Sequence, residues 1–466
     1  MNFITSSFKS FLWNVLGAGI GFVFQIVSAK LLGAESFGKA NFLLGYVSTI
    51  TIFACFGLQT YLAKYINKNN KDKIFSEVFW TYSILFLIVD IFVVVFLYLN
   101  NINYENIFLI SILAYLTTLS EIILTYNVAT NNAAKGMFNR KFIYSILNLS
   151  IFFISYFLLT KEYYIYLFVM IISYLIITLP FLIKNISKIS IKIAIIRKSL
   201  GFYLIQLLYG LFFSYSKVLQ KEFGTYETVA ILSISLTIGS LVAMLGDNFA
   251  KVSMPLFAKH WNEKDFDKLN EVYKTTTRIN CYLVMPIALI LIINSSKILD
   301  LLGKGYEGGE IIFIFILISQ FINSFTGPNG SILVMTKFSK YEIFNGIIKL
   351  LIAIITIWFW GGKYNWAVAI SIAISEIGVN ILKTIQVKKY IGIFPYEIKN
   401  LIYIFIMGSI EVLIFMLIKN ISNIWGWMFL NGLALIAFYI LTFDFSPITE
   451  DKQIIKKVLI TFKKVL

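Results

Sequence analysis

The chain has 466 residues, of which 59% are hydrophobic and only 14% are charged. Soluble domains contain about 45–50% apolar and about 25% charged residues, so the composition excludes a soluble protein and indicates an integral membrane protein. The net charge of +16 comes mostly from loops on one side of the predicted membrane topology, and no nucleic-acid partner is expected.

The chain opens with two apolar segments joined by a glycine-marked turn, Gly33 to Gly38. The first segment, residues 11–29, follows Lys9 and superficially resembles a signal peptide, but it is longer than the usual apolar core of one. A similar pattern returns near Lys217, in the middle of the chain, where no signal peptide can lie. We therefore predict a retained membrane helix.

These two regions form a weak internal repeat. Lys30 and Lys217, each near the end of an apolar segment, are 187 positions apart, and Ala40 and Ala230, which follow the two turns, are 190 apart. Many transporters are built from internal repeats. The repeat therefore indicates two pseudo-symmetric halves.

A transmembrane helix needs about 20 apolar residues, and by that length the chain has fourteen candidate spans. They cover residues 10–31, 40–66, 78–99, 107–130, 141–160, 163–183, 200–219, 227–250, 279–294, 308–335, 343–360, 364–386, 400–418 and 423–443. We expect an all-α integral membrane protein with about fourteen transmembrane helices.

Lysine and arginine are distributed unevenly among the connections between these spans. With both termini in the cytoplasm, the cytoplasmic side carries 30 of them and the external side 9, while Lys349 lies inside a span. Positive charge concentrates on the cytoplasmic side of membrane proteins. The asymmetry predicts fourteen crossings with both termini cytoplasmic.

The spans also suggest a division into domains. We predict an N-terminal six-helix lobe (1–183), a cytoplasmic linker (184–199), a C-terminal six-helix lobe (200–390), two extra transmembrane helices (391–447) and a basic amphipathic cytoplasmic tail (448–466). The linker's isoleucine spacing fits a helix or a strand. The tail is typical of helices that lie on anionic lipid, and the alternative is a solvated tail.

Four carboxylates lie at membrane depth: Asp90, Glu121, Glu376 and Glu411. Ionisable groups inside a membrane are candidates for function. Glu121 is therefore either a coupling-ion or proton site or an interhelical hydrogen-bonding group, while a structural pairing is favoured for Asp90. Lys349 and Glu376 lie at similar depths on neighbouring helices, which predicts an intramembrane ion pair.

The tenth span is interrupted by the sequence Gly327-Pro328-Asn329-Gly330. Proline removes a helical hydrogen bond and kinks a helix. Gly327, Pro328 and Gly330 are expected to form either a hinge that moves during transport or a static kink.

No metal or cofactor site is expected from the sequence. The two cysteines, Cys55 and Cys281, lie inside apolar spans and have no spacing typical of a disulfide framework or a metal site. The single histidine, His260, has no partner that would make it a metal ligand or a base.

Several short motifs resemble the polysaccharide transporters of the multidrug/oligosaccharidyl-lipid/polysaccharide exporter superfamily, which include the Wzx-type O-antigen flippases. The motifs are Ala29-Lys30-Leu31-Leu32-Gly33 with Phe37-Gly38, Phe56-Gly57-Leu58 ahead of Ala63-Lys64-Tyr65, the helix start at Glu227 to Ala230, Met254-Pro255-Leu256-Phe257-Ala258 and Gly303-Lys304-Gly305-Tyr306. The resemblance extends over about residues 5–390.

This resemblance implies two six-helix lobes around a central cavity lined by helices 1, 2, 7 and 8. It implies a flippase that moves undecaprenyl-diphosphate-linked oligosaccharide repeat units to the external leaflet by alternating access, for O-antigen (lipopolysaccharide) or capsule synthesis. The implied location is the bacterial cytoplasmic (inner) membrane, and the implied partners are lipid-linked oligosaccharide, membrane lipids and other polysaccharide assembly proteins. No cofactor is expected, and coupling to H⁺, Na⁺ or the membrane potential stays open.

A diphosphate headgroup needs cationic groups in the cavity, because unpaired charge in hydrocarbon is costly. The candidates are Lys30 and Lys217, near the external ends of helices 1 and 7, and then Lys64 and Lys251 nearer the cytoplasm. The alternative for Lys30 and Lys217 is that they snorkel to lipid headgroups. Polar residues expected to line the cavity are Asn14, Gln25, Gln59, Gln206 and Tyr209. Related lipid II flippases carry several arginines in helices 1 and 2 that this chain lacks, so a different glycan cargo is expected.

Two other functions stay open. A cation-coupled multidrug exporter of the same superfamily would use Asp90 or Glu121 as its ion site and would not need cationic cavity residues. A membrane glycosyltransferase or polymerase would handle similar lipid-linked sugars, but such enzymes usually expose catalytic groups in a sizeable external loop, and the predicted external loops here are short. We therefore expect a transporter and not an enzyme.

Overall fold

The computed structural model describes residues 3–66, 70–159, 161–186, 189–190 and 192–448. All regular structure within these residues is helical. The helices are α1 Phe3–Cys55, α2 Leu58–Tyr65, α3 Lys71–Leu99, α4 Tyr104–Ala129, α5 Ala133–Met137, a π-helix Phe138–Ile143, α6 Tyr144–Leu158, α7 Tyr164–Asn185, α8 Ile193–Glu222, α9 Tyr226–Asn262, α10 Phe266–Ile293, α11 Ser295–Asp300, α12 Glu310–Thr326, α13 Asn329–Met335, α14 Ser339–Trp360, α15 Ala367–Ile391, α16 Ile398–Lys419 and α17 Ile424–Asp444.

Eleven helices among the described residues are long and apolar enough to cross a membrane, or twelve if α12 and α13, bent by 48°, form one span. The first of them, Lys9–Cys55, has non-helical backbone at Gly33, so its two arms hold the first two predicted spans. The seventh predicted span lies in α8. All fourteen predicted segments thus lie in helical regions, while the number of crossings and the cytoplasmic termini stay predictions.

Two boundaries differ from the expected ones. The predicted span 40–66 is divided at Phe56 and Gly57, which both have positive φ, because two successive left-handed residues cannot continue a right-handed helix. The predicted linker 184–199 is helical at both ends, since α7 runs to Asn185 and α8 begins at Ile193. The predicted amphipathic tail lies outside the described residues from position 449 onward.

The chain forms two compact units. The first unit comprises Met1–Thr237, Leu302–Tyr306 and Phe359–Val368, and the second comprises Ile238–Leu301, Glu307–Trp358 and Ala369–Leu466. These units follow from packing within the structure. The division into pseudo-symmetric lobes at residues 184–199 stays a prediction.

The first unit packs around α1. On its first arm, Phe24 stacks on Tyr166 of α7 with ring centroids 5.0 Å apart, and Phe152 of α6 meets Phe24 edge-on. A side chain at Gly17 would overlap the backbone of Lys141 in the π-helix. Because glycine has no Cβ, the first arm and the π-helix approach closely enough to touch through their backbones.

The second unit packs around α10. One end of α10 meets α9, α13 and α15 in a cluster that includes Leu269 and Tyr273. The other end meets α16 and α17 in a cluster that includes Met285. The outer face of α16 is strongly exposed at Phe405 (75%) and Leu417 (74%), which is the surface a helix offers to lipid and not to water.

Candidate functional site

The second arm of α1 and helix α8 lie side by side in the first unit. The contacts from one end to the other are Asn41 with Lys217, Gly45 with Val218, Tyr46 with Tyr215, Ile52 with Gly210 and Phe56 with Tyr203. Residue numbers rise on one helix as they fall on the other, so the pair is antiparallel. A Cβ at Gly45 would lie 2.9 Å from Val218, so glycine is what permits this approach.

Lys217 is held in this helix pair by an amide. Its Nζ donates a hydrogen bond to Asn41 Oδ1 at 2.8 Å. Asn41 is only 1% exposed, and its Nδ2 donates to the Phe37 carbonyl at 3.0 Å, which turns the amide oxygen toward the lysine. Among the described residues Lys217 has this neutral partner and forms no ion pair, so its charge is solvated by the protein but not neutralised.

Three turns pack together at the end of the helix pair near Lys217. A Cβ at Gly38 would overlap the carbonyl of Tyr226, the first residue of α9. The buried Tyr306 hydroxyl donates to the Ala29 carbonyl at 3.0 Å. Gly305 beside it has φ of +88°. The motifs at residues 29–38, 227–230 and 303–306 therefore meet in one packed cluster of the first unit.

The other predicted lysines are placed differently. Lys30 is exposed on the first arm of α1, and no hydrogen bond or ion pair joins it to Lys217 among the described residues. Lys64 is exposed on α2, with its Nζ 5.5 Å from the centre of the Tyr65 ring. Lys251 is exposed on α9, in the second unit. The joint action of these lysines on one headgroup stays a prediction.

The predicted polar lining residues lie on three helices of the first unit. They are the half-buried Asn14 and Gln25 on α1, Gln59 on α2, and Gln206 and Tyr209 on α8. The sequence missed Asn41, the residue that orients Lys217. Its 176-residue separation from Lys217 leaves no spacing that could have suggested the contact.

Glu121 has a basic partner inside the first unit. Arg140 in the π-helix lies 2.7 Å from its carboxylate. The guanidinium also lies 5.0 and 5.1 Å from the ring centres of Tyr144 and Tyr174, a cation–π arrangement. This contact agrees with the interhelical alternative for Glu121 and identifies Arg140, which the charge count had assigned to a cytoplasmic connection, as its partner.

The Ser111 hydroxyl of α4 lies beside the Asp90 carboxyl group, and the structural pairing favoured for Asp90 stays a prediction. Asp90 is half-buried on α3, and its Oδ1 has no hydrogen-bond partner among the described residues. It forms no ion pair in that part of the chain. Asp90 therefore remains a candidate for the ion site of the alternative exporter.

Helices α14 and α15 of the second unit contain the predicted ion pair, Lys349 with Glu376. Two further polar contacts join the same helices. Glu342 accepts from Lys383 at 2.5 Å, and the amides of Asn345 and Gln386 exchange two hydrogen bonds at 2.8 Å. Glu342, Asn345 and Lys349 are three and four positions apart, so they lie on one helical face, a spacing from which all three contacts could have been inferred.

The interruption in the tenth span is present between α12 and α13. Gly327 has φ of +70°, and a Cβ there would overlap Thr277 of α10. Asn329 donates to the Asn380 carbonyl at 3.0 Å and to the Thr384 hydroxyl at 3.2 Å, both on α15. The break is therefore anchored to its neighbours, and its movement as a hinge at Gly327, Pro328 and Gly330 stays a prediction.

A polar cavity of about 310 Å³ adjoins this break within the second unit. Its lining includes Asp247, Asn280, Asn323, Asn329 and Lys383. Within the described residues no three histidine, cysteine or acidic side chains are grouped so that they could hold a metal ion.

Comparison with known proteins identifies the fold. No family model matches the sequence, and no curated protein matches it. The structure of the lipid II flippase MurJ in an inward closed conformation is similar, with 18% identity, a TM-score of 0.72, and coverage of 94% of this chain and 98% of that one.

Two structures of multidrug resistance MATE transporters are also similar. The inward-facing structure has 14% identity and a TM-score of 0.62, and the match covers 82% of this chain and 98% of the transporter chain. The outward-facing structure has 14% identity and a TM-score of 0.52, and the match covers 83% of this chain and 95% of the transporter chain. These likenesses show that the chain shares its fold with a lipid II flippase and with multidrug resistance transporters. Its many long apolar helices are those of a multi-pass membrane protein.

Proposed function

We propose, from the premise that this chain has the fold of MurJ and the MATE transporters, that it is a flippase for lipid-linked oligosaccharides. It would move undecaprenyl-diphosphate-linked repeat units from the cytoplasmic to the external leaflet by alternating access, for O-antigen or capsule synthesis. We also propose that the protein lies in the bacterial inner membrane with both termini in the cytoplasm. The cavity lysines would bind the diphosphate headgroup. MurJ, named for a lipid-linked cargo, supports the substrate class.

The observation that carries the proposal is the environment of Lys217. Burying an ammonium group is costly unless an anion or several hydrogen bonds compensate, and the described structure supplies one amide oxygen. A diphosphate would supply the missing negative charge. Lysine suits such a ligand because a compact cation pairs with phosphate without fixing its orientation.

The multidrug exporter is the second candidate, and Asp90 is the observation that favours it. Its partly unsatisfied carboxylate could attract a cation, whereas Glu121 already faces Arg140. An Asp90→Asn variant that loses drug resistance and keeps glycan export at wild-type level in the same cells would support this function.

The experiment is deletion of the gene followed by labelling of lipid-linked repeat units. We expect them to accumulate on the cytoplasmic leaflet and to be cleared by the wild-type gene. Lys217→Ala should reduce export about tenfold or more, which corresponds to the loss of one hydrogen bond to a charged group. Lys217→Arg should largely preserve it.

Lys363→Ala, at an exposed lysine in the turn after α14, is the matched control and should export normally. Protein level in the membrane is measured for every variant. Normal glycan export by the Lys30→Ala, Lys217→Ala double variant would overturn the proposed headgroup site, and no accumulation after deletion would overturn the function.

A further inference from the structure

One carboxylate inside the second unit is used by neither candidate function. Glu411 lies near the middle of α16 and is 0% exposed. Both of its carboxyl oxygens are buried and have no hydrogen-bond partner within the described residues. Each unsatisfied buried group in a native structure requires an explanation, and an ionisable group inside a membrane is a functional candidate.

Glu411 lies on the face of α16 that packs into an apolar cluster. Met407 and Phe415 flank it four positions away on the same face of α16, and both belong to the cluster built on Met285 of α10. Phe438 of α17 belongs to the same cluster. Glu411 therefore lies where three helices meet.

The titratable groups on these helices offer no counter-charge to Glu411. Tyr439 of α17 interacts with it electrostatically, but the Tyr439 hydroxyl donates to the Leu283 carbonyl at 2.7 Å. The other titratable or charged groups on the three helices are Cys281, Tyr282, Asp267, Lys268, Glu271, Tyr273, Lys274 and Arg278 on α10, Lys399, Tyr403 and Lys419 on α16, and Asp444 on α17. At one end of these helices Lys274 pairs with Glu397, just before α16, and beyond the other end Lys297 donates to the Ile421 carbonyl.

An ionised carboxylate in this position would be unstable. Glu121, Glu342 and Glu376 each face a cation, and an unpaired buried charge is far more costly than a neutral polar group. The carboxylic acid form avoids that cost, because it carries no charge.

We propose that Glu411 is a proton-binding site at the junction of α10, α16 and α17. It holds one proton on its carboxyl group while α16 is packed on α10. When water reaches the group, the O–H bond breaks, the proton passes to water, and a carboxylate remains that disfavours repacking. This inference does not depend on the identity of the transported molecule.

Infrared spectroscopy of the full chain in lipid nanodiscs tests the site directly. We expect a C=O stretching band of a protonated carboxylic acid at neutral pH that shifts in D₂O. The Glu411→Gln variant should lose one group's share of that band, and Glu307→Gln, at an exposed carboxylate, should keep it. An unchanged acid band in Glu411→Gln, or a loss confined to carboxylate bands, would overturn the proposal.

The pH dependence of thermal stability provides a second readout. The packed site is compatible with the neutral acid and not with a carboxylate, so removal of the proton at alkaline pH should destabilise the folded protein. As the pH is raised, the wild-type midpoint should fall relative to that of Glu411→Gln. Parallel curves for the two proteins would contradict the site.

A second neutral variant, Glu411→Leu, tests the site if Glu411→Gln fails to fold. Because the site is proposed to hold a neutral group, at least one of Glu411→Gln and Glu411→Leu should reach the membrane at wild-type level. If both fail to fold while the wild type remains stable at about pH 9, the neutral-site proposal is wrong.

Discussion

The α14–α15 pair and the α1–α8 pair differ in whether their charged residues have a partner of opposite sign. Between α14 and α15, each charged residue faces one of opposite sign, in the pairs Glu342 with Lys383 and Lys349 with Glu376. Between α1 and α8, Lys217 faces the neutral amide of Asn41. The charges of the two ion pairs between α14 and α15 cancel. Between α1 and α8, the positive charge of Lys217 has no counter-charge from the described residues.

The difference indicates which helix pair is available for an anionic ligand. A neutralised pair gains little from an added phosphate, since each cation already has a carboxylate partner. A lysine that has only an amide oxygen gains both a counter-charge and hydrogen bonds when phosphate arrives. We therefore expect the ion pairs between α14 and α15 to stabilise the fold, and Lys217 to bind the ligand.

The largest expected effect comes from breaking one ion pair. Lys349→Met leaves Glu376, whose side chain is 20% exposed, without its cation, and loss of one partner of a buried pair costs up to about 3–5 kcal/mol. The double variant Lys349→Met, Glu376→Leu should recover most of that stability, as measured by thermal unfolding in detergent. A double variant no more stable than either single one would show that the pair is not the source of the loss.

Breaking the Asn345–Gln386 amide pair, which lies between the two ion pairs, should cost less stability. Asn345→Ala leaves the buried Gln386 amide unsatisfied, which costs about 1–3 kcal/mol because no charge is stranded. Asn345→Leu with Gln386→Leu should restore stability, and Lys363→Ala is an exposed control. A loss as large as that of Lys349→Met would contradict the distinction between charged and neutral contacts.

Asn41→Asp should convert the hydrogen bond of Lys217 into an ion pair like those between α14 and α15. The new carboxylate should neutralise Lys217 and compete with a phosphate ligand, so export should fall about tenfold, or about 1.4 kcal/mol, while the protein remains at least as stable. Export of lipid-linked sugar and thermal stability are both measured. Normal export by Asn41→Asp would contradict the ligand role of Lys217.

The smallest effect is expected at Pro328, beside the α14–α15 pair. Gly327 and the hydrogen bonds of Asn329 already hold the break, so Pro328→Ala should lower stability by only about 0.4–1 kcal/mol, the usual contribution of a compatible proline. Full transport by this variant would support the static kink. Lost transport at unchanged stability would instead support the hinge.

The helices themselves could be predicted because membrane-spanning helices are long apolar segments and their ends follow from length. The Lys349–Glu376 pair was predictable for a related reason. Their helices are joined by the short turn after Trp360, so counting about 1.5 Å per residue places both side chains at similar depth. The interruption at Gly327 was visible because glycine and proline mark it directly.

Tertiary structure alone decided the surroundings of Lys217, Glu121 and Glu411. Asn41 lies 176 residues from Lys217, and Arg140 lies in a π-helix that no local pattern announced. Whether Glu411 faces lipid, a cation or an apolar cluster depends on how α16 is rotated about its axis. In a segment that is apolar on every side, periodicity does not reveal that rotation, because only packing against α10 and α17 determines which face is buried.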